Sequence, residues 1–288
     1  MQSSKINKKI LIEAIQKNIK MALQEDIGKI DLSAQLINPK LSVIAYVKSK
    51  ESALISGIPW FNSTFHTLDP KIKIKWLIKE GQIVKKNQRL CEVYGKARSI
   101  LSGERVALNF LQTLSATSTA TYHYVKAISG SHAKIFDTRK TIPGLRIAQK
   151  YAVIIGGGNN QRIGLFDQIL IKENHIKSSN KMDDLFPLAL KYAKNKNIQI
   201  EVERLDQFKK ALGLGFRNIL LDNFDIKALK KAVLLNKGRA LLEASGNITL
   251  KNVKKIALTG VDRISLGSLT KNIKAVDLSM KIEAFKSL

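Results

Sequence analysis

The 288 residues are 44% hydrophobic and 25% charged, which excludes a wholly disordered chain and is long enough for one large domain or two. A single cysteine, Cys91, excludes an intrachain disulfide or a cysteine metal cluster and fits a reducing compartment. The net charge of +26 invites a nucleic-acid partner, but the lysines are scattered and only 6% of residues are aromatic, so a lysine-biased solvated surface is the preferred reading, whose field would still draw in small polyanions.

Met1 to Lys20 has no secretory apolar run, because Glu13 interrupts Ile10-Leu11-Ile12. No stretch reaches the ~20 apolar residues that cross a bilayer. A cytoplasmic protein with neither a membrane nor a dedicated nucleic-acid partner is expected. Ile12, Ile15 and Ile19 mark one face of a short helix. Strands are predicted over 41–48, 72–77 and 90–94, with a turn and small hairpin from Gly81 to Leu90. A long helix runs from Gly103 to about Ser129 through Val106, Phe110 and Leu114. Apolar runs that end in polar residues then recur at 134–140, 168–172, 198–201, 218–222, 240–245 and 263–267. Helical stretches such as 185–194 and 226–235 lie between them. Successive ends at 137, 172, 201, 222 and 243 are 35, 29, 21 and 21 residues apart, the spacing of strand–helix–strand units in a parallel sheet. A polar residue at the end of nearly every strand favours a β/α barrel over a doubly wound open sheet, which concentrates them at one switch point. The tail 275–282 alternates with period two and is expected to rejoin the first region's sheet.

Two segments carry the strongest chemistry, Asp137-Thr-Arg-Lys-Thr-Ile-Pro-Gly-Leu-Arg146 and Gly156-Gly-Gly-Asn-Asn-Gln-Arg-Ile-Gly-Leu-Phe-Asp167. Three consecutive glycines would let backbone amides approach an anion closely, the alternative being a flexible turn. Arg139, Lys140, Arg162 and Lys172 would share a site only with anions to neutralise them; separate surface salt bridges are the alternative. Glu201 and Asp222, at the ends of successive strands, suit Mg²⁺ held jointly with a pyrophosphate, or else pair with Lys140 or Lys172. Glu203 and Glu243 are less clear and could be structural. The loops Ser245-Gly246-Asn247 and Gly267-Ser268 are placed where barrels bind phosphate, or serve only as turns. His66, His123, His132 and His175 have no paired metal-ligand spacing.

The chain closely resembles the quinolinate phosphoribosyltransferase family over nearly its whole length. The matching text includes Glu25-Asp-Ile-Gly28, Gly103-Glu-Arg-Val-Ala-Leu-Asn-Phe-Leu-Gln112, Asp137-Thr-Arg-Lys-Thr141, Leu170-Ile-Lys-Glu-Asn-His175, Glu201-Val-Glu203, Leu221-Asp-Asn223, Glu243-Ala-Ser-Gly246 and Ser265-Leu-Gly267. The resemblance implies an N-terminal α/β sandwich domain (1–116, joined by 273–288) plus an incomplete parallel α/β barrel (117–272). It implies a homodimer, or an assembly of dimers, in which Arg105 enters the neighbouring subunit's site. Arg105, Arg139, Arg162 and Lys172, with Gln161, would hold the carboxylates of quinolinate. Lys140, Glu201 and Asp222 would be catalytic and serve phosphoribosyl pyrophosphate and its Mg²⁺, the two acids holding the ion directly or through water. Ser245, Gly246, Asn247, Gly267 and Ser268 would hold the 5-phosphate. The implied reaction makes nicotinate mononucleotide, pyrophosphate and CO2 for NAD biosynthesis. Gln161 and Lys271 stand where the family usually has histidine. A neutral amide at 161 implies carboxylate recognition with a flat pH dependence near neutrality.

Overall fold

The computed structural model describes residues 6–179, 182–193 and 197–286. Its first half runs α1 (Lys8–Ile27), β1 (Ser42–Ser49), β2 (Ala53–Leu54), α2 (Ile58–Leu68), β3 (Lys73–Trp76), β4 (Ile83–Val84), β5 (Arg89–Lys96) and α3 (Ala97–Ala127). There follow β6 (Lys134–Phe136), α4 (Arg146–Ile155), β7 (Ile169–Ile171), α5 (Glu173–Ser179), α6 (Met182–Ala193), β8 (Ile198–Val202), α7 (Leu205–Gly213) and β9 (Asn218–Asp222). The chain ends with α8 (Ile226–Asn236), β10 (Leu241–Ser245), α9 (Val253–Ala257), β11 (Arg263–Ser265), α10 (Ser268–Lys271) and β12 (Leu278–Lys286). Lys194, the end of the predicted helix 185–194, lies outside the described residues.

Two compact units result. The sandwich unit gathers 6–122, 141–157 and 270–286. Its antiparallel sheet has the order β12-β1-β5-β3, so the alternating tail does return to this sheet, pairing with β1. In β1 every second residue is buried, which puts Val43, Ala45 and Val47 on one apolar face. Phe61 and Phe65 of α2 and Ile100, Ala107, Leu108 and Leu111 of α3 share a core with that face. Each such fully buried large side chain contributes about 1.5–3 kcal/mol. The far side of α3 buries Val106, Phe110 and Leu114 in a second core with Ile19, Trp60, Ala148 and Ala152. That core explains why α4, which falls within the sequence range expected for the barrel domain, packs in the sandwich unit.

The hairpin expected over Gly81–Leu90 does not form. Ile83 and Val84 pair with Leu54 and Ala53 instead, a pairing that Ile55 extends by donating its N–H to Gln82 O and accepting from Gly81 N, and β5 pairs with β1 and β3.

The second unit holds 123–140 and the described residues of 158–269. Its parallel sheet has the order β6-β11-β10-β9-β8-β7. Read from β7, each strand sits beside its successor, and the last, β11, lies beside the first, β6. A doubly wound sheet would reverse direction in mid-order; this cyclic order is that of a barrel left open between β6 and β7. The opening has a cause in the chain path. After Lys140 the chain leaves to build α4 in the sandwich, so the helix that would close β6 against β7 is missing from this unit. On its return, Asn159 bridges Phe136, its N–H donating to Ile135 O at 2.8 Å while Asp137 N donates to Asn159 O at 3.1 Å.

Candidate active site

Successive side chains on a strand alternate between faces, so residues i and i+2 point the same way. Gln199 and Glu201 on β8, Leu220 and Asp222 on β9, and Glu243 and Ser245 on β10 therefore form two tiers inside the barrel. Leu170 on β7, with Lys172 just past its end, continues the pattern. In register Leu170 stands beside Gln199, Leu220 beside Glu243, and Asp222 beside Ser245. The upper tier opens into a cleft of about 340 Å³ whose lining includes Arg139, Lys140, Gln161, Arg162, Lys172, Glu201, Asp222, Glu243, Ser245 and Ser265.

Four cations and three carboxylates thus share one cleft. Lys172 Nζ meets Glu201 Oε2 at 2.9 Å, so the ion-pair reading of Glu201 holds in the free protein. Arg162 is 8% exposed, and its Nη1 donates to Gln168 O at 3.2 Å. Burial, and then the nearby Arg139 guanidinium, pull the Arg162 pKa down, against smaller opposing effects of Asp167 and Glu201. Arg139 Nε is buried with no hydrogen-bond partner among the described residues, as is Ser265 Oγ. A buried donor without an acceptor costs about 1–3 kcal/mol. Two crowded guanidiniums, one with an orphaned N–H, form a receptor for an anion that brings several oxygens.

The loop that bears Arg162 is held by carboxylates. Asp137, fully buried just past β6, accepts from Asn160 Nδ2 at 2.7 Å and from Gln161 N at 2.8 Å. Asp167 accepts from Ile163 N at 2.8 Å and Gly164 N at 2.9 Å, closing the turn beyond it.

Family models for the N-terminal and C-terminal domains of quinolinate phosphoribosyl transferase match residues 31–115 and 117–281. The chain belongs to the quinolinate phosphoribosyl transferase family. It is 39% identical over 286 residues to a chloroplastic carboxylating nicotinate-nucleotide pyrophosphorylase of Arabidopsis thaliana, covering 92% of this chain and 82% of the plant protein. It is 37% identical to a mitochondrial decarboxylating quinolinate phosphoribosyltransferase 2b of Nicotiana tabacum, covering 92% of this chain and 81% of that one. The solved structure of the nicotinate-nucleotide pyrophosphorylase from Francisella tularensis is similar with a TM-score of 0.91 and 43% identity, over 94% of this chain and 96% of that one.

The cleft brings together Arg139, Lys140, Gln161, Arg162, Lys172, Glu201, Asp222 and Ser245 from the residues this family resemblance pointed to. Gly246 and Asn247 lie on the loop after β10, Gly267 follows β11, and Ser268 opens α10. Gly246 has φ +92°, and a Cβ there would overlap Asn223, so only glycine fits this turn. Lys140 lays its aliphatic stem over Gly267, where a Cβ would sit 2.9 Å from Lys140 Cδ. Arg105 is exposed on α3 in the sandwich unit and is not among the cleft-lining residues.

The glycine triplet does not act as expected. Gly156 N donates to Ala152 O and Gly157 N to Ile154 O, so these two amides close α4 rather than cradle an anion. Gly157 takes φ +85° to end the helix, and a Cβ on Gly156 would lie 2.5 Å from Ser118 O. Gln161 is buried, and its side-chain amide donates into the protein, to Gln199 Oε1 at 2.8 Å and Glu243 Oε1 at 3.0 Å. Asp137, Gln199 and Glu243 escaped the sequence reading as site residues. The signal for the last two was present: each stands two positions before a strand-end residue already singled out, hence on the same face.

Proposed function

We propose that this chain transfers the phosphoribosyl group of phosphoribosyl pyrophosphate to quinolinate and decarboxylates the adduct, giving nicotinate mononucleotide, pyrophosphate and CO2 for NAD biosynthesis. The observation that carries the acceptor is the Arg139–Arg162 pair, in which Arg162 is buried and crowded by the Arg139 guanidinium, and the buried Arg139 Nε has no acceptor among the described residues. A dicarboxylate supplies both the charge and the lone pairs that this pair needs. A monocarboxylate would leave part of the cation set unused.

Lys172 and, across a homodimer interface, the neighbouring subunit's copy of Arg105 complete the acceptor site in this reading. Gln161 lines it without giving its amide protons to the substrate. Lys140, with the loops Ser245-Gly246-Asn247 and Gly267-Ser268, holds the phosphoribosyl donor, and the orphaned Ser265 Oγ and Ser268 Oγ offer it further polar contacts. The donor set fits Mg²⁺: Glu201 and Asp222 are hard oxygen ligands on adjacent strands, and this ion takes one or two carboxylates with phosphate oxygens and water. When bound, the ion would neutralise charge on the departing pyrophosphate. Lys140 adds a second positive charge there, and the Glu201 or Asp222 carboxylate stabilises positive charge that builds at the ribose anomeric carbon. The quinolinate nitrogen attacks that carbon. Loss of the adjacent carboxylate as CO2 leaves its bonding pair on the ring carbon, stabilised by the neighbouring pyridinium nitrogen, and a proton from water fills that position to give nicotinate mononucleotide. Alignment of the two substrates between fixed strand ends supplies much of the acceleration. We place the enzyme in the cytoplasm.

The test is turnover of quinolinate and phosphoribosyl pyrophosphate with Mg²⁺, following CO2 and nicotinate mononucleotide together. Equal amounts of both are expected. Mononucleotide from nicotinate but not from quinolinate would overturn the acceptor assignment, and no product from either would overturn the reaction.

A further inference from the structure

Below the cations lies a buried polar layer that the chemistry above does not use. Glu243 and Gln199 are each 1% exposed. Gln199 Nε2 donates to Glu243 Oε2 at 2.9 Å, and Gln161 Nε2 donates to both residues. Glu243 forms no ion pair among the described residues; amide donors surround its carboxylate. A carboxylate so deep is costly to bury, and a well-packed apolar residue often serves stability as well or better. Its arrangement is directional, however. With its N–H groups turned toward Gln199 and Glu243, Gln161 presents Oε1 to its neighbour, and Arg162 N donates to that oxygen at 2.8 Å. Asp137 grips the same two-residue stretch from the β6 side. The backbone from which the Arg162 side chain springs is therefore clamped on two sides, in a loop that leaves the Asn159–Phe136 bridge and crosses the barrel's open seam towards β7.

We propose that Glu243, acting through Gln199 and Gln161, is a positioning residue that aims Arg162 at the acceptor's carboxylates and so sets acceptor specificity. Glu243 lies at the floor of the cleft, 1% exposed, with both carboxylate oxygens taken by the Gln161 and Gln199 amides. The proposal rests on the quinolinate reading given above.

Six proteins decide it: wild type, Glu243→Leu, Glu243→Gln, Gln199→Leu, Arg162→Met and the Arg162→Met/Glu243→Leu double variant, each assayed for KM of quinolinate, KM of phosphoribosyl pyrophosphate, and Tm. Glu243→Leu should raise the quinolinate KM roughly 10- to 100-fold, the scale of one misaligned charge-assisted hydrogen bond, and leave the donor KM within about twofold. Glu243→Gln keeps an acceptor oxygen at the same place and should stay within about threefold of wild type. Gln199→Leu should reproduce the Glu243→Leu defect, which keeps the test usable should that protein not fold. In an Arg162→Met background the Glu243→Leu effect should vanish, because both act on one contact. Additive losses in that background, a parallel rise of both KM values with a lowered Tm, or no change at all would each overturn the positioning role. Failure of the wild type to consume quinolinate would instead bring down the underlying reading, and this proposal with it.

Discussion

Replacing Arg162 by methionine separates stability from function, because the structure assigns the two effects different magnitudes. Methionine keeps the side-chain volume and removes the guanidinium. In the free protein the loss is one hydrogen bond, Nη1 to Gln168 O, worth about 1 kcal/mol. Against it stands relief of a charge disfavoured by burial and by Arg139. These offset, so stability should change by less than about 1 kcal/mol and Tm by no more than roughly 2–4 °C. In the proposed complex the substitution would delete at least one charge-assisted hydrogen bond to a carboxylate, about 1.5–3 kcal/mol, which is roughly 10- to 150-fold in kcat/KM for quinolinate. Steady-state kinetics with each substrate varied in turn, beside a thermal melt, read both quantities. A Tm drop well beyond 4 °C would show that the free protein needs the charge, and unchanged kcat/KM would show that the acceptor does not; either refutes the reasoning.

Glu201→Gln breaks an ion pair whose lysine is 46% exposed, so it should cost under about 1 kcal/mol of stability and yet lower kcat by more than about 100-fold, with a weakened Mg²⁺ dependence in activity titrations. A fall in Tm without loss of turnover would contradict both halves of that statement. Asp31 is held below the ordinary carboxylate range by the Ser102 hydroxyl and then the Ala34 N–H. Its stabilisation is therefore full above the unfolded-state value and is lost as pH falls through the lower folded one. Ser102→Ala should raise the Asp31 titration seen by NMR and flatten acid destabilisation in that window; a titration midpoint that does not move counts against the assignment. Gly156→Ala would place a Cβ 2.5 Å from Ser118 O and 2.7 Å from Thr121 Cβ, an overpacking of about 1–3 kcal/mol that should lower Tm by roughly 2–10 °C. An unshifted melt would mean that α4 does not pack on α3 as described.

What could be read in the sequence followed one periodicity. The apolar runs that end at Lys172, Glu201, Asp222 and Ser245 are strands whose last side chains face inward, and their spacing implied helices between them, so barrel and strand-end chemistry emerged together. Where local pattern and tertiary packing part company, the reading failed. The glycine triplet looks like an anion cradle, yet its first two amides are taken by α4, whose place in the sandwich depends on distant partners such as Trp60 and Phe110. Ile83-Val84 has the composition of a hairpin arm, but its partner strand is 30 residues away, at Ala53-Leu54. Gln199 in Ile198-Gln-Ile-Glu201 breaks an apolar strand, and only the structure shows that Gln161 and Glu243 satisfy it.

The open seam of the barrel helps to explain how the charges are distributed. The carboxylates Glu201, Asp222 and Glu243 all sit on strands paired on both sides, where backbone hydrogen bonds fix them, as the proposed Mg²⁺ site would require of the first two and the buried amides require of the third. Arg139, Lys140 and Arg162 come from loops on the two lips of the seam, after β6 and before β7, where the missing strand pairing leaves backbone to be tied down otherwise. Asp137, Asp167 and the Gln161 amide do that tying. Such an anion receptor needs its guanidiniums close together although they repel, and loops clamped by hydrogen bonds can hold that crowding without straining a sheet. The strength of the clamp, more than the count of cations, should therefore govern how tightly a dicarboxylate binds.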